Sequence, residues 1–303
     1  MAATVKVKNE NILLLADMHL RPLDARSRRI RERAAFDNER LAAFLAAMEG
    51  EAGTLILLGD AFHFWFERRS LVAGDYFTAL NLFKAASGRG MDIHHVSGNR
   101  DFAVGEGLGL DPTARFPGFF RFRSGFTVSR LVDFGIEPHG LRYRFHSRGT
   151  SVSCIHGDSL CLDQRMFMAF RWLLTGPLGQ RALKCLPWSL AAYLAAKAQN
   201  SGPRGRPPRN PGAQFAEAAM KKEIALGADL VLCGHIHAPF ERGVTAAGRT
   251  GRLVAVPAWQ DGYYGLLSRG RLEVRKFDFP QPRPDSLQIE ILQKSKTPAP
   301  QGS

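Results

Sequence analysis

Residues 12–19 read ILLLADMH (Ile12–His19). The run Ile12–Ala16 has no helical spacing and is too short for a helix of ordinary length. It predicts a strand buried on both faces, ending abruptly in an Asp-x-His. The same arrangement recurs four times. Thr54–Leu58 is followed by Gly59-Asp60, and Asp92–Ser97 by Gly98-Asn99-Arg100-Asp101. Ser151–Ile155 is followed by His156-Gly157-Asp158, and Leu230–Cys233 by Gly234-His235-Ile236-His237. Apolar spacing predicts helices over Asp37–Glu49 and Asp75–Ser87, between the first three strands. Further strands are predicted at Phe126–Phe134, Leu141–Phe145, Arg252–Pro257 and Gly262–Leu267. Alternating β-α-β followed by strand-dense segments predicts an α/β fold of layered sheets and helices.

In open α/β sheets, ligands gather outside the carboxyl ends of the strands. The five polar clusters all follow strands, so they are expected to converge on one edge. Residues i and i+2 of an extended segment point to the same side. Asp17 and His19 can therefore face one ion, and His235 and His237 a two-metal centre. The candidate ligands are Asp17, His19, Asp60, Asn99, His156, His235 and His237. Two carboxylates, an amide oxygen and four imidazoles suit Mn²⁺, Zn²⁺ or Fe, and the lack of thiolate argues against a structural zinc site. A lone DxH or GD is usually just a turn. Five such clusters, each after an apolar run, are hard to obtain by chance.

The 303 residues carry 41 Lys plus Arg against 28 Asp plus Glu, a net +13. That balance points to an anionic partner: nucleic acid, phosphorylated substrate or anionic membrane. The four cysteines, Cys154, Cys161, Cys185 and Cys233, form no CxxC pair and read as reduced thiols. No apolar run approaches a transmembrane span, and residues 1–10 lack the pattern of a signal peptide. A cytoplasmic protein is expected. Met166 to Gln199 reads as two or three short helices broken by Gly176-Pro177 and Pro187. The Pro/Arg-rich Ser201–Gly212 follows, and residues 279–303 read as a disordered tail.

The quoted clusters resemble the signature of the calcineurin-like metallophosphoesterases: DxH, GD, GN-(H/R)-D, a later His, and GHxH. The resemblance spans about Ile12 to Leu267. Gly98-Asn99-Arg100-Asp101-Phe102 and His156-Gly157-Asp158-Ser159-Leu160-Cys161, with the helical segment after it, are similar to one branch, the UDP-2,3-diacylglucosamine pyrophosphatases of lipid A biosynthesis. The resemblance implies a four-layer α/β/β/α sandwich over residues 1–278, with a helical insertion at about 163–200 inside a lid region 163–212. It implies two divalent ions, Mn²⁺ foremost. Asp17, His19, Asp60 and His237 would hold one, and Asp60, Asn99, His156 and His235 the other, with Asp60 bridging. The implied substrate is a nucleotide-sugar lipid, cleaved to UMP and 2,3-diacylglucosamine 1-phosphate. Asn99, Arg100 and His235 are the implied catalytic residues, and Gln164 and Ser201 join them as substrate contacts. The implied location is the cytoplasmic face of the inner membrane of a Gram-negative-type bacterium. No nucleic-acid partner is expected. The sequence departs from the branch at Gln164 and Phe167, where an acidic residue and a tyrosine are usual, and at His63.

Arg100 bears on the reaction independently. Many relatives have His there, able to protonate an alkoxide leaving group. An arginine is always charged near neutral pH and cannot. It can hold phosphate oxygens bidentately, and a departing phosphate needs little protonation. Arg100 thus favours a pyrophosphate bond over an alkyl phosphodiester. From Gln164 to Arg209 there are many basic groups and no Asp or Glu, interleaved with Phe167, Phe170, Trp172 and Trp188. Such a basic amphipathic segment reads as contact with an anionic membrane or acyl chains. The competing readings are a calcineurin-like phosphodiesterase or nuclease, and a metal-free scaffold of the same fold.

Overall fold

The computed structural model describes residues 10–23, 28–63, 65, 67–68, 71–72, 76–101, 130–161, 190, 215 and 217–279. The helical segment 163–200, Gln164, Ser201, Arg165–Arg209 as a whole and the tail from 280 lie outside these, apart from the single residue Leu190. In chain order the elements are β1 (Asn11–Leu15), α1 (Arg28–Ala47), β2 (Thr54–Leu58), the two-residue strands β3 (Glu67–Arg68) and β4 (Leu71–Val72), α2 (Phe77–Gly88) and β5 (Asp92–Val96). Then come β6 (Ile136–Pro138), β7 (Arg142–Ser147), β8 (Thr150–Ile155), α3 (Glu217–Ala225), β9 (Leu230–Cys233), β10 (Phe240–Ala246), β11 (Arg249–Ala255), β12 (Tyr263–Ser268) and β13 (Arg271–Lys276).

One sheet has the order β13-β12-β1-β2-β5-β6, the other β10-β11-β9-β8-β7. The strands β1, β2, β5 and β6 run parallel, as do β8, β9 and β11. Side chains alternate along a strand, and here the alternation divides the core into layers. From β1, Leu13 and Leu15 pack against Leu41 and Phe44 of α1. Ile12 and Leu14 point the other way, into an apolar layer shared with Val152, Cys154 and Leu232 of the second sheet. On the far side of that sheet, Val231, Cys233 and Leu253 pack against Met220 and Ile224 of α3. Three apolar layers separated by two sheets make the four-layer α/β/β/α sandwich.

Strands with both faces buried must be continuously apolar, which is why ILLL, TLILL and LVLC were legible. The described cysteines Cys154, Cys161 and Cys233 are buried, and Cys154 and Cys233 are free thiols. No helix among the described residues is long and apolar enough to cross a membrane.

One strand expectation fails. In Phe126–Phe134, the described part, Arg130–Phe134, is a short 3₁₀ helix. Leu131 is fully buried and Phe134 nearly so, whereas Val132 is exposed, the three-residue spacing of that helix. Helix α1 starts nine residues before the predicted Asp37, at Arg28. Its first two turns bury little beyond Ala34, so they carry no apolar periodicity.

Candidate metal centre

The loops after β1, β2, β5, β8 and β9 open on one edge of the two sheets. Their backbones are bound together: Asp17 N–H donates to Gly59 C=O (3.2 Å), His19 N–H to Asp60 C=O (2.8 Å) and Gly234 N–H to His156 C=O (2.8 Å). All seven candidate ligands meet here. His237 Nε2 lies 3.2 Å from Asp17 Oδ1 and 3.5 Å from His19 Nε2. His156 Nε2 lies 3.0 Å from Asn99 Oδ1 and 3.1 Å from His235 Nδ1. Asp60 stands between the two groups, with Oδ2 3.9 Å from His19 Nε2 and Oδ1 3.7 Å from His156 Nε2.

Five of the seven have backbone in the left-handed region: Asp17 (φ 52°), His19 (45°), Asp60 (49°), His235 (71°) and His237 (55°). Non-glycine residues rarely adopt it, and each costs of order 1–3 kcal/mol. Strain gathered on the residues that carry the donor atoms marks the edge as a site. Two motif glycines are required by close approach. A Cβ at Gly98 would overlap the Asp60 carboxylate, and one at Gly234 would come within 2.6 Å of Asp17 Oδ2.

Asp17 is fully buried, and Asp60 is only 2% exposed. Two carboxylates this close and this deep call for cations. For Asp60, burial raises the pKa, as do the neighbouring charges of Asp101 and Asp17, against the pull of His156. For Asp17, burial pushes upward, but the hydrogen bond and charge of His237 prevail and hold it well below the usual carboxylate range. Burial lowers His19 to about 3, and burial with the charge of His156 lowers His235 to about 4. His156 goes the other way: burial would lower it, yet Asp60 and Asp17 lift it to about 9. Its Nδ1 faces Leu58 C=O at 3.0 Å, so a donated proton there turns Nε2 toward Asn99, His235 and Asp60. In the metal-free chain that Nε2 carries a proton where a cation would sit. Asp17, His19 and His237 can hold one ion, and Asp17, Asp60 and His156 group closely enough for another.

Arg100 is among the charges that, after burial, lower the His19 pKa. Its backbone N–H donates to Asp60 Oδ1 (2.7 Å). Asp101 is occupied elsewhere. Its buried carboxylate accepts from the N–H groups of Gly98 (2.6 Å) and Ala61 (2.8 Å), and faces His95 Nε2 at 2.9 Å. Asp101 thereby fixes the loops that present Asp60 and Asn99. This positioning role was missed from sequence, although the GNRD string contains the residue. His63, singled out as unusual, is buried and meets the His19 ring edge-on, with centroids 5.9 Å apart.

The family model for calcineurin-like phosphoesterases matches residues 10–239. The chain belongs to the calcineurin-like phosphoesterase family. That family uses a dimetal centre, and the enzyme class is a metal-dependent phosphoesterase hydrolase. The chain is 27% identical over 230 residues to the UDP-2,3-diacylglucosamine hydrolase of Chromobacterium violaceum, covering 74% of this chain and 84% of the relative. It is 25% identical over 252 residues to that of Ectopseudomonas mendocina, covering 82% and 90%. With that of Azotobacter vinelandii the identity is 27% over 254 residues, covering 82% and 90%.

Proposed function

We propose that this phosphoesterase hydrolyses the pyrophosphate bond of UDP-2,3-diacylglucosamine. Water adds to the uridylyl phosphorus, and the P–O bond to the sugar-bearing phosphate breaks. UMP and 2,3-diacylglucosamine 1-phosphate result. The reading rests on Arg100, an arginine in the loop whose backbone N–H donates to Asp60 Oδ1 (2.7 Å), where an alkoxide leaving group would call for a proton donor. Relatives named UDP-2,3-diacylglucosamine hydrolase, similar over most of the chain, support the nucleotide-sugar lipid as substrate.

Asp17, His19, Asp60 and His237 would hold one divalent ion, and Asp60, Asn99, His156 and His235 the other. Mn²⁺ is the proposed metal, suited to this mixed nitrogen and oxygen set. Bound ions there lower the pKa of water and offset charge on the phosphoryl oxygens. The chain's own groups do the rest. Asp60 presents one oxygen to each half of the centre. Asn99 and His235 stabilise phosphoryl oxygens as negative charge develops. Arg100 neutralises the departing phosphate without supplying a proton. Gln164 and Ser201 remain proposed substrate contacts, and the basic region 163–212 the proposed contact with acyl chains and an anionic inner-membrane surface.

The test is turnover with Mn²⁺ on UDP-2,3-diacylglucosamine, UDP-N-acetylglucosamine and bis-p-nitrophenyl phosphate. UMP release from the lipid far above the other two is the expected result. Preference for the aryl diester would overturn the pyrophosphatase assignment.

A further inference from the structure

Away from this edge, the described residues hold another group of converging ligand atoms: His94 on β5, Glu137 on β6 and His139 just after it. His94 Nδ1 lies 2.9 Å from His139 Nε2 and 3.4 Å from Glu137 Oε2. The remaining separation, His139 Nε2 to Glu137 Oε2, is 4.0 Å. Nitrogen and oxygen ligands about 2.0–2.2 Å from a tetrahedral ion stand about 3.4 Å from one another. The three observed distances bracket that value. We propose that His94, Glu137 and His139 bind one Zn²⁺-type divalent ion, separate from the catalytic centre, with its fourth position open to water.

Three further features support the site. Tyr143 stacks on both imidazoles, with ring centroids 4.6 Å from His94 and 3.9 Å from His139. Its hydroxyl lies 3.5 Å from His94 Nε2, so an Nε2–H directed at that oxygen leaves the Nδ1 lone pair free to ligate. The backbone is already in place: His139 N–H donates to His95 C=O (2.9 Å), and Ser97 N–H donates to Gly140 C=O (2.7 Å). Burial lowers His94, and burial with the charge of His94 holds His139 at about 3, so burial favours the neutral, ligating form of each ring. The side chain of His94 is 8% exposed and that of Glu137 65%. The ion therefore enters from the Glu137 side.

The ion would staple β6, a three-residue strand at the sheet edge, to β5. His94 and His95 point to opposite faces of β5, and His95 is the residue that holds Asp101. The staple thus sits on the reverse of the strand that delivers Asn99.

The experiment is a Zn²⁺ titration of the full chain, with metal content measured after gel filtration and thermal melting alongside. The parent, His139→Gln and Glu137→Gln are compared. Glu137 is exposed, so Glu137→Gln should fold even if His139→Gln does not. We expect the parent to retain one zinc more per chain than His139→Gln. Glu137→Gln should weaken that zinc by at least about tenfold, the lower end of the effect of losing even an outer partner of a metal site. Turnover with Mn²⁺ should stay within about twofold of the parent in both variants, the scatter of a change that removes no transition-state interaction. An Asp60→Ala chain should keep the extra zinc, and adding His139→Gln to it should abolish that zinc. Equal zinc content and equal zinc-dependent melting shifts in the parent and both variants would overturn the site. The 2.9 Å contact would then be a plain imidazole–imidazole hydrogen bond.

Discussion

At the scale of single residues, one chain position carries the substrate argument and another carries the geometry. Arg100→Ala should cut kcat/KM on the lipid pyrophosphate by roughly 10²–10³, the effect of losing one preorganised stabilising donor. Arg100→Lys should recover only part, since the planar fork is lost. Arg100→His should gain on aryl or alkyl diesters, where a protonating group helps. Metal content should be unchanged in all three, because Arg100 supplies no donor atom to the ions. Steady-state kinetics with metal analysis checks this, and a twofold effect of Arg100→Ala would remove the argument for pyrophosphate. Asp101→Asn tests the geometry. The amide has only one acceptor oxygen for the donors of Gly98, Ala61, Asp60 and His95. Activity and metal affinity should fall about 10–100-fold, the usual cost of losing an outer partner of a metal site. Unaltered metal affinity would show that the Asp60 loop holds itself.

At the scale of the elements, the turns matter more than the strands they follow. Gly98→Ala places a methyl group on the Asp60 carboxylate. The β5 turn and the β2 turn cannot then keep their present spacing. The variant should melt lower and lose most activity and metal, as seen by calorimetry and metal analysis. A fully active Gly98→Ala would mean that the two turns are not packed as described. On the opposite face, Glu223 of α3 is 4% exposed and takes Arg142 and Arg144 of β7. Removing it takes the buried carboxylate away from both guanidiniums. Loss of a buried pair costs 3–5 kcal/mol, and the partial exposure of both arginines reduces the expected cost of Glu223→Ala to about 2 kcal/mol. Urea unfolding measures it, and catalysis should persist in the folded fraction.

At the scale of the whole molecule, the metal-free and metal-loaded proteins should differ in how stability depends on pH. In the metal-free chain His19 (about 3), His235 (about 4) and His139 (about 3) are held neutral. The unfolded chain protonates them near 6.5, so stability falls as pH drops from about 6.5 toward 4. His156 is raised to about 9, and Asp60 is raised with it. Their folded forms hold the protons longer, so their contribution is present at low pH and lost as pH rises through their raised pKa values. Maximum stability of the metal-free protein should therefore lie near pH 6.5. Adding Mn²⁺ should remove the alkaline decline, because the ion replaces those protons and binds better as they leave. Melting curves with and without chelator from pH 4 to 9 decide it. An alkaline decline that Mn²⁺ leaves unchanged would argue against His156 and Asp60 as ligands.

The sequence alone determined the buried strands that lead into the ligand clusters, and the order of those clusters, for a physical reason. A strand covered on both faces must be apolar throughout, and Ile12–Ala16, Thr54–Leu58 and Leu230–Cys233 are. Each ends where polar donors begin, so the edge of the sandwich could be read without coordinates. Tertiary structure decided what depends on distance. The seven donors come from loops up to 220 residues apart, and only the two stacked sheets bring His237 to Asp17. Asp101 has no distinguishing signal inside the GNRD string, and only the fold closes its carboxylate on Gly98, Ala61 and His95. Arg130–Phe134 looked like strand because its apolar residues are dense, but burial at every third residue made it a tight helix. The pairing of His94 with Glu137 and His139 had no local signal, since it exists only through the parallel register of β5 and β6.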